Sequence, residues 1–292
     1  MLLYIGFRVP RPMVGRGAAA AGACHRTDME VIIQPTQEAA ADLVARIIAH
    51  DLRANPHLVL GLATGSTMER VYGGLVRMHR QENLDFSLCT TFNLDEYVGL
   101  APEDANSYRF YMNRHLFDGV NIDKRNTHLP CGVAPDLDAE CRDYEALIKR
   151  SGGIDFQLLG IGRAGHIGFN EPLSALQSRT RVKALTPTTI EQNAPFFGGP
   201  EKMPRRAMTM GVGTIIEARR CVLLATGGAK AQVLAQAVEG PITSMISATA
   251  LQLHPRCTVV VDEAAAAGLQ EREYYRWIFE NEPEWEEYRG KR

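Results

Sequence analysis

Short apolar runs recur along this chain and alternate with longer segments of helical periodicity. The runs have the length and composition of buried strands, and they lie at 31–33, 58–62, 88–93, 156–161, 207–210, 221–225 and 258–261. The clearest helix follows the first run and ends before Pro56, and its apolar stripe consists of Leu43, Val44, Ile47, Ile48 and Leu52. Such alternation predicts an α/β, Rossmann-like fold, with a single open, mostly parallel sheet and helices on both faces.

One compact domain is the simplest organisation for the 292 residues. The composition, 45% hydrophobic and 23% charged, supplies a substantial core, and no linker rich in Pro, Gly or Ser divides the chain. The first 27 residues contain four arginines and no acidic residue, whereas an ordinary strand-like sequence opens at Met29. We therefore expect residues 1–28 to be a disordered or mis-called N-terminal extension and residues 29–292 to form the functional domain.

Charge and cysteine usage exclude several classes of partner. A formal net charge of −2 and a pI near 6.5 predict neither a nucleic-acid surface nor an electrostatic membrane patch. No apolar run reaches the roughly 18 residues that a membrane span needs. The six cysteines show no C-x-x-C pair and no zinc-type spacing, so we expect no metal site and a cytoplasmic protein with free thiols.

A glycine-rich turn at 160–172 brings a histidine and a carboxylate within five residues of each other. Because the turn follows the apolar run 154–159, His166 and Glu171 fall at a strand end, where open α/β sheets bind their ligands. The glycines of the turn also fit the dinucleotide fingerprint G-x-G-x-x-G. Nucleotide binding is disfavoured, because Pro172 leaves little room for the required helix and no acid follows about 20 positions on. The turn therefore predicts an acid/base site.

Two other loops, each between a strand and a helix, are suited to binding an anion. The first follows the run 58–62 and consists of Thr64, Gly65, Ser66 and Thr67. Backbone N–H groups at a helix start can hold a phosphate, although Ser66 or Thr67 could equally be a simple helix cap. The second loop, 225–230, ends in Lys230, whose ammonium could reach the same phosphate or could be a solvated lysine.

Paired carboxylates follow the run 88–93. Alternation along an extended backbone places Asp95 and Glu96 on opposite sides, so only one of them can face a pocket and act as a base. A turn acid beside a surface acid is the alternative. Taken together, the loops offer a phosphate cradle, a carboxylate base and a His/Glu pair. This combination favours proton abstraction beside a carbonyl on a sugar phosphate.

Five motifs, in order, resemble the glucosamine-6-phosphate deaminase (glucosamine/galactosamine-6-phosphate isomerase) family, at 64–67, 92–100, 165–172, 178–181 and 251–255. The resemblance covers about residues 29–262 and implies a sugar-phosphate deaminase/isomerase domain. Such an enzyme turns glucosamine 6-phosphate and water into fructose 6-phosphate and ammonia without a cofactor. The resemblance implies Asp95 as the base at C2, His166 oriented by Glu171 for ring opening, and the loop 64–67 with Lys230 as the phosphate site.

Two positions depart from the pattern of this family. Ala164 stands where relatives have an aspartate two residues before the histidine, and Pro195 stands where they have a phosphate-binding arginine. Ser174, Arg181 and Lys183 match positions at which some hexameric relatives bind the activator N-acetylglucosamine 6-phosphate. They are candidate allosteric residues, although the two cations could also be ordinary surface charges. The resemblance also implies a homo-oligomer.

Two rival functions stay open at this point. A 6-phosphogluconolactonase resembles the deaminases in fold and has a similar Gly-His turn, but it lacks the Phe-Asn-Glu-Pro continuation at 169–172. A non-catalytic sugar-phosphate sensor would explain the departures at Ala164 and Pro195, whereas retention of the acid/base residues opposes it.

Overall fold

The computed structural model describes residues 28–289, and its centre is a seven-stranded sheet in which every neighbouring pair is parallel. Most strand residues are buried, as expected for a sheet covered on both faces. From one edge to the other, the strands are β1 (Met29–Gln34), β10 (Cys257–Asp262), β9 (Arg220–Ala225), β6 (Phe156–Leu159), β2 (Val59–Leu62), β3 (Thr90–Asn93) and β5 (Thr127–His128). The first 27 residues of the predicted extension lie outside the described residues.

A second, smaller sheet is antiparallel. Its strands, in spatial order, are β4 (Asp95–Tyr97), β8 (Arg206–Thr209) and β7 (Arg181–Ala184). The predicted open parallel sheet is confirmed, and six of the seven predicted runs lie in it. The seventh run, at 207–210, forms β8 of the smaller sheet instead, because apolar periodicity identifies a strand but not its partner.

The described residues contain eight α-helices, of which the last follows the final strand. They are α1 (Gln37–Ala54), α2 (Ser66–Glu82), α3 (Tyr108–His115), α4 (Leu137–Arg150), α5 (Pro187–Phe197), α6 (Val212–Ile216), α7 (Ala231–Val238) and α8 (Arg272–Asn281). The predicted stripe of α1 is buried, and Thr36 caps the helix by accepting the Ala39 N–H at 3.1 Å. None of the helices in residues 28–289 has the length and apolar character to span a bilayer.

The C-terminal segment covers the edge of the main sheet. Helix α8 contacts β1, and after it Trp285 is fully buried in the core. Arg46 of α1 donates to the carbonyl oxygens of Glu287 at 2.7 Å and Tyr288 at 3.3 Å, which ties the segment to the first helix. Packing a helix against an edge strand is one way in which proteins protect that edge from pairing with another chain.

Candidate active site

Four of the segments that the sequence singles out leave the carboxyl ends of four adjacent strands. The strands are β9, β6, β2 and β3, and they are consecutive neighbours in the sheet. The segments that follow them are 226–230, 160–172, 63–67 and 94–100. Because the strands are parallel, these loops meet at one edge of the sheet, which is where an open α/β sheet binds its ligand.

Asp95 is a nearly buried carboxyl at this edge, with 6% of its surface exposed. It begins β4, opposite Thr209 of β8. A β-carbon at Gly168 would lie 3.4 Å from Oδ2 of Asp95, so the carboxyl lies against the turn that carries His166. Burial, with the neighbouring Glu96 carboxylate as the second cause, raises the pKa of Asp95 to about 8. A carboxyl with such a pKa is suited to accepting a proton near neutral pH.

Glu96, by contrast, is hydrogen-bonded to the protein backbone. Its carboxylate accepts the N–H groups of Tyr97 at 2.9 Å, Tyr108 at 3.0 Å and Arg109 at 3.0 Å. Tyr108 and Arg109 open α3, so Glu96 satisfies N–H groups that a helix start leaves without a partner. Glu96 is therefore committed to the start of α3 and to its own neighbour in the chain.

His166 and Glu171 lie in contact. Nδ1 of His166 is 3.1 Å from Oε2 of Glu171, whose other oxygen lies 3.2 Å from both the backbone nitrogen and the hydroxyl of Thr186. Burial opposes ionisation of Glu171, but hydrogen bonds from His166, Thr189 and Thr186, together with the His166 charge, lower its pKa to about 2. The ionised carboxylate accepts a proton-bearing Nδ1, so we assign Nε2 as the nitrogen that can exchange a proton with a substrate.

Glycines let the histidine ring pack closely onto its own turn. The Gly162 N–H donates to the His166 carbonyl at 2.9 Å, and a β-carbon at Gly162 would lie 2.0 Å from Nε2 of the ring. Gly165 has a φ of +77°, a conformation that side chains rarely adopt. The sequence pattern identified these glycines, but the structure explains them by ring packing and turn geometry.

Two polar residues that sequence reasoning missed hold this turn in place. The Asn170 side-chain amide donates to the carbonyls of Ile167 at 2.9 Å and Met210 at 2.8 Å. The Ser247 hydroxyl donates to the Asn170 carbonyl at 2.8 Å and accepts the Ile167 N–H at 3.2 Å. Asn170 lay inside a motif, whereas nothing in the sequence connects Ser247 with a turn so distant along the chain.

The loop 64–67 opens α2 without a side-chain cap. The N-cap is Gly65, with a φ of +116°, and no side chain accepts a hydrogen bond from the first turn. The simple-cap alternative for Ser66 or Thr67 is therefore wrong, since both are already inside the helix. The Gly65 carbonyl accepts the Met68 N–H at 2.9 Å and the Tyr111 hydroxyl at 2.8 Å, which fixes the start of the helix. Among the described residues the N–H groups of Ser66 and Thr67 have no such acceptor, so they remain available to an anion.

Lys230 reaches from the other predicted anion loop toward the turn that carries His166. Its ammonium donates to the Ile161 carbonyl at 2.7 Å. The side chain is half-buried, and burial together with the nearby charge of Arg163 lowers its pKa. The alternative of a fully solvated lysine is therefore wrong, because the ammonium lies against the turn between β6 and His166.

Tyr108 is a further residue of this edge that the sequence did not indicate. Its hydroxyl donates to the Tyr97 hydroxyl at 3.3 Å and lies near the Thr64 side chain. Its ring stacks on Phe169 with centroids 6.1 Å apart. Tyr108 thus connects the anion loop with the strand that carries Asp95, a connection that only the tertiary structure reveals.

The three candidate allosteric residues lie on or beside β7. Nη2 of Arg181 donates to the hydroxyl of Ser174 at 2.9 Å, and Nη1 donates to Oδ1 of Asn170 at 2.8 Å. Lys183 is two residues along the same strand and therefore shares a face with Arg181. Asn170 lies next to Glu171, so Arg181 is connected to the His/Glu turn through a single side chain.

The two departures lie in different surroundings. Ala164 is half-buried in the His166 turn, where its methyl group offers no carboxylate to the imidazole. Pro195 is exposed near the C-terminal end of α5 and brings no charge to the site. Helix α5 still reaches the site through Phe197, whose ring lies 5.3 Å from that of Tyr97. Within residues 28–289, no group of three or more His, Cys, Asp or Glu side chains is arranged to hold a metal ion.

Comparison with known proteins gives relatives of high identity. The sequence model of the family described as glucosamine-6-phosphate isomerases/6-phosphogluconolactonase matches residues 34–260. A curated glucosamine-6-phosphate deaminase of Shewanella woodyi is 50% identical over 250 residues, covering 86% of this chain and 95% of that protein. A protein of the same name from an Arthrobacter species is 49% identical over 258 residues, covering 88% and 99%.

Solved structures repeat the fold. A structure described as a monomeric glucosamine-6-phosphate deaminase matches with a TM-score of 0.81 and 45% identity, over 82% of this chain and all of that one. A 6-phosphogluconolactonase from Trypanosoma brucei matches with a TM-score of 0.66 at 20% identity, over 84% of this chain and all of that one. The second likeness concerns the fold alone.

Proposed function

This chain belongs to the family of glucosamine-6-phosphate isomerases and 6-phosphogluconolactonases, and within it we propose that it is a glucosamine-6-phosphate deaminase. The enzyme converts glucosamine 6-phosphate and water to fructose 6-phosphate and ammonia. The observation that carries the proposal is the position of a buried carboxyl against the turn that holds an acid/base pair. Asp95, a buried carboxyl with a pKa of about 8, lies against the turn that holds the His166–Glu171 pair.

Ring opening is the first step of the proposed reaction. The pyranose form must give up the proton on its C1 hydroxyl and gain one on the ring oxygen O5. Nε2 of His166 is suited to handling the O5 proton, because ionised Glu171 holds Nδ1 and fixes the orientation of the ring. Thr186 holds Glu171 in turn, so the pair is positioned before substrate arrives.

Isomerisation and deamination follow from the open-chain aldose. Asp95 removes the proton from C2 while O1 takes up a proton, which gives an enolamine. A proton then reaches C1 and the nitrogen gives one up, so that the double bond has moved from C1–O to C2–N. Water adds to the resulting C2 imine, and ammonia leaves as the C2 ketone forms. Atoms balance with water as the only co-substrate, and general acid/base groups of this kind contribute roughly 10²–10⁴-fold each.

The sugar phosphate is bound, in this proposal, at the start of α2. The N–H groups after Gly65 and the ammonium of Lys230 supply the positive potential that a phosphate dianion needs. Thr64 adds a hydroxyl that lies near Tyr108. Anchoring the phosphate at one end of the substrate places the C1–C2 end near Asp95 and His166.

The proposal is tested by measuring ammonia and fructose 6-phosphate release from glucosamine 6-phosphate by the purified protein. An Asp95→Asn variant is the control, since the amide keeps the shape of the side chain and cannot take a proton. Turnover that depends on Asp95 supports the deaminase. Hydrolysis of 6-phosphogluconolactone instead would identify a lactonase. Tight binding of glucosamine 6-phosphate with no turnover would identify the sensor.

Ala164 gives a second test of the same mechanism. Because this position contributes no carboxylate, we propose that His166 and Glu171 open the ring on their own. An Ala164→Asp variant measures the difference. A large gain in kcat would show that ring opening is impaired in the natural chain, whereas an unchanged kcat would show that the second carboxylate is bypassed.

Three further properties are proposed from the family resemblance. N-acetylglucosamine 6-phosphate would bind near Ser174, Arg181 and Lys183 and activate the enzyme, which substrate-saturation curves with and without that compound would test. A homo-oligomer would appear in light scattering, although one solved relative is described as monomeric. A cytoplasmic location agrees with the five free cysteines of the described residues, and fractionation of cells would test it.

A further inference from the structure

Arg163 lies in the His166 turn, and neither the turn geometry nor the proposed proton transfers use it. We infer that Arg163 is a substrate-binding residue that holds the phosphate group together with Lys230 and the start of α2. The inference rests on the proposed function, because it takes the phosphate site of that proposal as its location. It assigns to the charged, exposed side chain of Arg163 the role of selecting phosphorylated sugars over neutral ones.

Three contacts bring the turn of Arg163 to this place. Ile161, two residues earlier, accepts a hydrogen bond from the Lys230 ammonium at 2.7 Å. A β-carbon at Gly160 would lie 3.2 Å from Cε of Met68, so the turn touches the first turn of α2. On its other side, a β-carbon at Gly165 would lie 2.9 Å from Cγ2 of Val233 in α7, the helix that follows Lys230.

Among the described residues, the two cations at this place lack a protein counter-charge. Within residues 28–289, neither Arg163 nor Lys230 forms an ion pair with a carboxylate, whereas many surface arginines of the chain do. Burial lowers the pKa of Lys230, and the nearby charge of Arg163 lowers it further, so the two cations repel each other. Like charges held together without an acid are unfavourable unless an anion joins them.

Arginine suits the role by its chemistry. Its planar guanidinium can donate two parallel N–H bonds to a phosphate and stays charged at every relevant pH, whereas lysine acts as a point charge. Gly65 at the start of α2 adds backbone N–H groups from a third direction. A phosphate surrounded in this way meets donors from three separate strand-end loops.

The test compares Arg163→Gln, Arg163→Lys and Lys230→Gln with the wild-type protein. We expect Arg163→Gln to raise the KM for glucosamine 6-phosphate about 10- to 100-fold, the loss expected for one charge-assisted bond, with kcat changed less than about threefold. Arg163→Lys should recover part of the loss, since the charge returns without the fork. Isothermal titration calorimetry with inorganic phosphate should show the same order of affinities without any turnover.

Arg80→Gln is the matched control. Arg80 is exposed on the same helix, α2, about 20 Å from its start, so the same substitution there should leave both KM and phosphate affinity unchanged. A phosphate affinity of Arg163→Gln within twofold of wild type would overturn the assignment, whatever the ammonia assay gives. The wild-type protein could release no ammonia while Arg163→Gln still binds phosphate more weakly than the wild type. In that case the proposed function fails and the phosphate role of Arg163 stands.

Discussion

Replacing Asp95 with Asn should abolish turnover and at the same time stabilise the protein. The carboxyl is buried, and its pKa is about 8 in the folded state, against an ordinary value of 3.8. The folded state therefore binds this proton more tightly than the unfolded state does. Its contribution to stability is complete below the unfolded pKa and is lost as the pH rises through about 8. The asparagine variant has no proton to lose.

The size of the effect follows from the pKa difference. Each pH unit between about 4 and 8 changes the unfolding free energy by up to about 1.4 kcal/mol. Between pH 5 and pH 7, Asp95→Asn should therefore gain about 2–3 kcal/mol relative to the wild-type protein. That is a large fraction of the 5–15 kcal/mol by which native domains are stable.

Urea unfolding at pH 5, 6 and 7, followed by the fluorescence of buried Trp285, measures this difference. Asp123→Asn is the control, because hydrogen bonds from Arg125 lower the pKa of Asp123 to about 2. This carboxylate is ionised in both the folded and the unfolded state from pH 5 to pH 7, so its removal should leave the pH dependence over this range unchanged. Equal pH dependence of Asp95→Asn and wild type would refute the reasoning, since it would mean that Asp95 ionises in the folded protein as it does in the unfolded chain.

Three other outcomes are expected. If Asp95 is the base, kcat/KM should rise about tenfold from pH 7 to pH 9 with an apparent pKa near 8, and a profile flat over that range would exclude it. Glu171→Gln removes the carboxylate whose pKa is about 2 and should lower kcat about 10- to 100-fold with KM little changed, whereas an equal loss in KM would point to a binding role. Gly162→Ala places a β-carbon 2.0 Å from the His166 ring and should lower kcat/KM more than about 100-fold. Gly73→Ala, in an open part of α2, should not lower it.

Much of the fold could be predicted, because the apolar periodicity within single segments identifies the helices and strands. The stripe of α1 and the apolar runs of the six strands in the main sheet are visible in single segments, and each segment is buried as its pattern indicates. The short strand β5 was missed, because two residues carry no period. The membership of β8 was missed, because its partners β4 and β7 lie far away in the chain.

The features of the candidate site also divide into those that the sequence predicts and those that only the tertiary structure shows. By itself, the sequence placed the candidate loops at strand ends and predicted that only one acid of the Asp95/Glu96 pair could serve as a base. It also supplied the His166–Glu171 spacing, since five residues of a glycine-rich turn suffice to bring those side chains together. Only the tertiary structure decided that Glu96 is the acid used by α3, that Ser247 fixes the histidine turn and that Arg163 and Lys230 share one place. These facts depend on burial and on contacts between distant segments. A pattern along the sequence contains neither the desolvation that raises the pKa of Asp95 nor the residues that pack around each side chain.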